Sequence, residues 1–281
     1  MAGGSDLHFH ILEDIARDLS GDVNFPTCLD AALLVRNALK DPFASIDQVT
    51  QVISVEPLIS SKLLRLANSV SYNPSGEVIS SLSNVIRRLG FDIVRTISLA
   101  VAMDQMLKSK NLAAYDQIAR QTWEHSLRVA AIARVLAVHL GRMQPDGAML
   151  TGLVHNIGIF YLLFRAAEYP EYRNDQAAMI ALLAGWHEGV GESLLHILGL
   201  PASITDAVRD QTLLNPVEMP SSISDVLCIA IALAGDRLPW LNSEPISTGT
   251  EAWRMKASEC YGHLLKSAER DIAELRAALS A

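Results

Sequence analysis

Gly152-Leu153-Val154-His155-Asn156-Ile157-Gly158 sets two adjacent polar side chains inside an apolar helical run that extends from Ala148 to Phe164. Burying an imidazole and an amide is costly unless each finds a partner. The two residues are therefore either satisfied within the chain or turned toward a ligand. Outward from this stretch, apolar residues recur at helical spacing almost everywhere. Pro and Gly punctuate the segments, and strand-like alternation is nearly absent. The chain reads as all-α.

Leu7 to Leu19 is amphipathic, with Ile11, Ile15 and Leu19 on one face, and Gly21 to Pro26 breaks it. Leu29 to Leu39 follows. Ser45-Ile46-Asp47-Gln48 is a capping box that opens a helix through Val55. Pro57 suits the first turn of the next helix, which Asn68-Ser69 ends. Gly90 suits the left-handed position after a helix over 80–89, and Asp92 can cap the next helix to Leu107. Residues 108–116 are polar and broken, which predicts a boundary. Gln117 to Leu140 is a long helix bearing His125, and Pro145-Asp146-Gly147 starts the one bearing His155. Gln176 to Gly189 bears His187, and Ser224 to Leu233 should be buried. A linker, Pro239 to Pro245, leads to a capping box at Thr248-Gly249-Thr250-Glu251. It opens a last helix to about Leu279, whose stripe of Trp253, Tyr261, Leu264, Leu265, Ala268, Ile272 and Leu275 should pack on the body.

Of the 281 residues half are apolar, and the formal net charge is −8. This globular composition is long enough to bury a large core. An acidic chain repels phosphate backbones, so general nucleic-acid binding is not expected, and Arg87, Arg88 and Arg95 read as solvated surface. Cys28, Cys228 and Cys260 form no CxxC pair and sit among apolar residues. They read as reduced, buried thiols of a cytoplasmic protein. No signal peptide is evident. The longest unbroken apolar run, Val226 to Ala234, is about half of the roughly 20 residues a membrane span needs, so no membrane association is expected.

Several short motifs, in one order, resemble the HDOD family, a branch of the HD superfamily of metal-dependent phosphohydrolases. The first half carries Phe25-Pro26, Val55-Glu56-Pro57-Leu58, Leu63-Leu64-Arg65-Leu66-Ala67-Asn68-Ser69, and Ile79-Ser80-Ser81-Leu82 through Arg88-Leu89-Gly90. The second half carries Trp123-Glu124-His125-Ser126, Gly152 to Gly158, His187-Glu188-Gly189-Val190-Gly191 and Leu200-Pro201. The resemblance implies an N-terminal helix (1–24), a helical lobe (25–110) packed on an HD-like bundle (111–235), and a linker with a C-terminal helix (236–281).

In the HD superfamily the place of His155-Asn156 reads His-Asp, and both residues ligate a metal. The resemblance implies ligand positions at His125, His155, Asn156 and Ile231, with His187 and Asp210-Gln211 joining in expanded sites. Here an amide replaces the shared carboxylate, an alkyl group stands at Ile231, and Asp210-Gln211 replaces a His pair. A neutral amide coordinates weakly, and a hydrocarbon not at all. Three histidines can still hold a zinc, so His125, His155 and His187 are the candidate metal ligands, with Asn156 and Asp210 nearby. The reading favoured by these losses is a non-catalytic signalling module with no cofactor, acting through an unidentified partner protein or small ligand. Its alternative is a phosphohydrolase with a residual divalent metal, acting on a nucleotide or phosphomonoester. Oligomeric state is left open.

Overall fold

A computed structural model describes residues 3–20, 29–41, 43–211, 220–235, 238 and 248–279, and no strand occurs among them. The first half comprises α1 (Gly3–Leu19), α2 (Asp30–Ala38), α3 (Ile46–Ser54), α4 (Pro57–Ala67) and α5 (Leu82–Lys108). The Ser45–Gln48 box caps α3 as predicted, each side chain meeting the other residue's backbone N–H. Pro57 occupies the first turn of α4. Gly90 parts two helical segments as expected: its positive φ of 76° with ψ 169° makes a kink between them, a conformation that strongly favours glycine, and the two segments are taken together as α5.

The broken stretch after α5 is a 3-10 helix, Lys110–Tyr115, that buries Leu112 and Tyr115. Then come α6 (Asp116–Leu140), α7 (Pro145–Val154), α8 (Ile157–Ala166), α9 (Pro170–Asn174), α10 (Gln176–Ile197), α11 (Ala202–Arg209) and α12 (Ile223–Ala234). The predicted last helix is two, α13 (Thr248–Tyr261) and α14 (Leu265–Leu279), parted by a 3-10 turn at Gly262–Leu264. Its apolar stripe does face the body: Trp253, Ala268 and Leu275 are buried.

Helix α5 is the shared wall, packing on α2, α3 and α4 on one side and on α7 and α8 on the other. One apolar core therefore runs from Ile11 and Ile15 through Val94 and Ile97 to Phe160 and Leu194. A second cluster joins the end of α6 to α12 and α13.

The run Ala148 to Phe164 is not one helix: it breaks at His155 and Asn156, where α7 stops and α8 starts. The stretch Pro145–Ala166 is long and apolar enough to cross a membrane by length and composition, yet 89% of its most apolar window is buried in the fold. Cys228 is buried, but Cys260 is exposed, contrary to the expectation for all three thiols. Its apolar neighbours in sequence lie on other faces of α13. Phe25, Pro26 and Cys28, the 212–219 loop, the 239–245 linker and the side chains of the Thr248–Glu251 box lie outside the described residues.

Candidate functional site

Two glycines let the helices around His155 close in. A Cβ on Gly152 would stand 2.7 Å from the Ala130 Cα, so α7 lies directly against the backbone of α6. A Cβ on Gly158 would stand 2.0 Å from the His187 carbonyl oxygen and 2.8 Å from the Gly191 nitrogen. The start of α8 thus lies on the backbone of α10, at the turn that bears His187. Both approaches are closer than any side chain permits.

This packing brings histidines from three helices inward. His125 on α6, His155 after α7 and His187 on α10 are 1%, 2% and 3% exposed, and Asn156 is 3% exposed. The rings of His125 and His155 lie 5.4 Å apart, tilted by 60°. Trp123 packs edge-on against Phe160 at 6.4 Å, as core rather than as part of the site.

The hydrogen bonds identify the tautomer of His155. Its Nδ1 lies 2.7 Å from the Gly152 carbonyl oxygen. A carbonyl only accepts, so Nδ1 carries the proton and Nε2 carries the lone pair. The Asn156 Nδ2 lies 2.8 Å from that Nε2 and donates to it. Asn156 begins α8 without capping it, because its amide is turned onto His155 instead. His187 has the same tautomer, with Nδ1 donating to the Leu183 carbonyl at 2.8 Å. Burial, and next to it the electrostatic influence of the neighbouring His125 ring, pushes the His155 imidazole down to about 3. Burial likewise lowers His187, partly offset by its bond to Leu183. Both rings are neutral at pH 7.

The remaining predicted positions lie differently. Both oxygens of Asp210 are held by the Arg209 guanidinium at 2.8 Å, on the surface rather than toward the histidines. Ile231 is partly buried in the cluster around α12. Among the described residues, no group of three or more His, Cys, Asp or Glu side chains is placed to hold a metal ion. Of the Asp210-Gln211 pair it is Gln211, and not the Asp210 named as a candidate, that turns inward. It is 5% exposed, and its Nε2 donates to the His155 carbonyl oxygen at 3.1 Å. The Cys228 thiol in turn approaches the Gln211 carbonyl at 3.9 Å.

Asn68, singled out at the end of α4, does more than cap. Its Nδ2 donates to the Leu64 and Ile79 carbonyls, and its Oδ1 accepts from the Ile79 N–H, each at 2.8 Å. One side chain thereby fixes the loop 69–79 to the helix before it. Arg88 donates to the Tyr72 carbonyl and Arg95 pairs with Asp92, so neither of these arginines is held out for phosphate.

The family model of the HDOD domain matches residues 25–213, about two thirds of the sequence. The chain belongs to the HDOD family. A protein of Shewanella amazonensis SB2B, provisionally named a metal-dependent phosphohydrolase, has a similar fold. It shares 21% identity and a TM-score of 0.76 over the full length of both chains. An HDOD domain protein of unknown function from Geobacter sulfurreducens gives 20% identity and a TM-score of 0.60 over 98% of each chain. A curated relative, an uncharacterized protein of Treponema pallidum (strain Nichols), is 22% identical over 196 residues. The match covers 66% of this HDOD chain but only 37% of that protein.

Proposed function

We propose that this HDOD module works without metal chemistry, as a regulatory body that acts through a protein partner or a small ligand. One observation carries the reading: the His155 lone pair already accepts a hydrogen bond from Asn156. In the HD pattern the His and Asp at this place both ligate the metal. Here the carboxylate is an amide whose N–H hydrogens point at the His155 nitrogen. The donor set as it stands does not fit a divalent ion that must activate water. Asp210 is spent on Arg209, Ile231 offers no donor atom, and among the described residues no carboxylate joins the histidines to neutralise a +2 charge. What remains is a packed cluster of buried polar side chains where α6, α7, α8 and α10 meet, with Asn156 bonded to His155 and Gln211 to the His155 carbonyl.

A phosphatase screen with Mn²⁺ or Ni²⁺ on nucleotides and phosphomonoesters tests this. The expected result is no turnover above background. Turnover that His155→Ala abolishes contradicts the reading.

A further inference from the structure

Helix α14 is seated like a ligand. It lies across the seam between the two halves, against α4 on one side and α6 on the other. Only Ala268, Leu275, Ala278 and Leu279 of its side chains are fully buried. Much of its hold is polar. Arg134 on α6 pairs with Asp271 at 2.7 Å, and the Ser71 N–H donates to Glu274 at 3.2 Å. At its C-terminal end the helix offers bare carbonyls, the negative pole of its dipole. Arg65 donates to the Ala277 carbonyl at 2.9 Å, and Lys62 donates to the Leu279 carbonyl.

Lys62 is the informative residue. It is 1% exposed, on α4, with Asp104 at 3.8 Å as its only carboxylate in reach among the described residues. Asp104 is itself shared with Lys108 at 2.8 Å. Burial lowers the Lys62 ammonium from its ordinary range. A buried cation aimed at the end of a groove suits an incoming helix C-terminus better than it suits an apolar core. On the α4 side of the helix an open cleft of about 590 Å³ runs between Leu64, Asn68, Ser69 and Val70 and the Glu274, Ala277 and Ala278 positions of α14.

We propose that the groove between α4 and α6 is the docking site for an amphipathic helix of a partner. Such a helix would present its C-terminal carbonyls to Lys62 and Arg65 and a carboxylate to Arg134. Helix α14 occupies the site in cis, and the partner helix displaces it, with the 3-10 turn at Gly262–Leu264 as the joint. The proposal names the partner class for the regulatory reading above and rests on that reading for its biological sense.

Two measurements on the full chain test it. In native-state hydrogen exchange, α14 amides should open ahead of α6 amides, by about tenfold or more, as a separate cooperative unit. In fluorescence anisotropy, a labelled, C-terminally amidated peptide spanning Leu265–Leu279 should bind the Asp271→Asn chain about tenfold more tightly than the unaltered chain. In that variant the resident helix is loosened, while the peptide still carries its own aspartate. The same peptide with Asp271→Lys should not bind. Exchange of α14 only together with α6, no peptide binding to the Asp271→Asn chain, or equal binding of both peptides each overturns the proposal. If these fail while phosphatase activity is also absent, α14 is a fixed part of the fold and the non-catalytic reading stands. Metal-dependent turnover instead removes that reading itself.

Discussion

Asn156→Asp should reverse the pH dependence that the buried site gives to stability. In the native chain the amide donates to the His155 Nε2 over 2.8 Å, while Nδ1–H is committed to the Gly152 carbonyl. His155 titrates near 3 when folded and near 6.5 when unfolded. The unfolded chain therefore takes up the proton first. The stability that neutral His155 contributes is intact above pH 6.5 and is lost as pH falls toward 3. At about 1.4 kcal/mol per unit, some 2 kcal/mol is gone by pH 5. An aspartate puts a second acceptor 2.8 Å from a bare nitrogen, in a site 3% exposed. The lost donor and the unneutralised buried carboxylate together cost on the order of 3–5 kcal/mol at pH 8, or on the order of 10 °C in melting temperature. Protonating His155 relieves the clash, so the variant's folded His155 titrates above its unfolded value. That contribution is fully present below about pH 6.5 and lost as pH rises through the raised value. Thermal melts from pH 5 to 8 in EDTA should then give slopes of opposite sign for the two proteins near neutrality. Parallel slopes, or equal stability at pH 8, would refute the placement of the Asn156 amide on Nε2.

Three other outcomes follow from the packing. Gly158→Ala should destabilise by about 3 kcal/mol or more in urea unfolding, because the new methyl meets backbone of α10 at 2.0 Å rather than a flexible side chain. Asn68→Ala removes three hydrogen bonds to backbone and should cost about 2–3 kcal/mol by the same assay, with α3 unaffected in hydrogen exchange. Ser45→Ala removes one half of the capping box and should cost about 1 kcal/mol.

The helical class was legible because the apolar period repeats in nearly every segment, and local chemistry marked particular starts, Ser45 and Pro57 among them. The HDOD match likewise lay in short ordered motifs. The break at His155-Asn156 was not legible, since apolar residues continue through two turns on either side of it. The roles of Gly152 and Gly158 depend on helices 22 or more residues away in sequence, Ala130 and His187, and glycine in a helix carries no local sign of close approach. The convergence of His125 with His155 was suggested by motif order. Which residue of the Asp210-Gln211 pair turns inward was decided at the end of α11, where one position of rotation separates a surface ion pair from a bond to the His155 carbonyl. Cys260 shows the same limit: neighbours along a helix do not share its face.

The central claim, that His155 presents its lone pair to an amide and not to a cation, is tested most directly by elemental analysis of the chain purified without chelator or added metal. The account predicts no transition metal held at stoichiometric level. About one zinc, manganese or iron per chain, lost in His155→Ala, would contradict it.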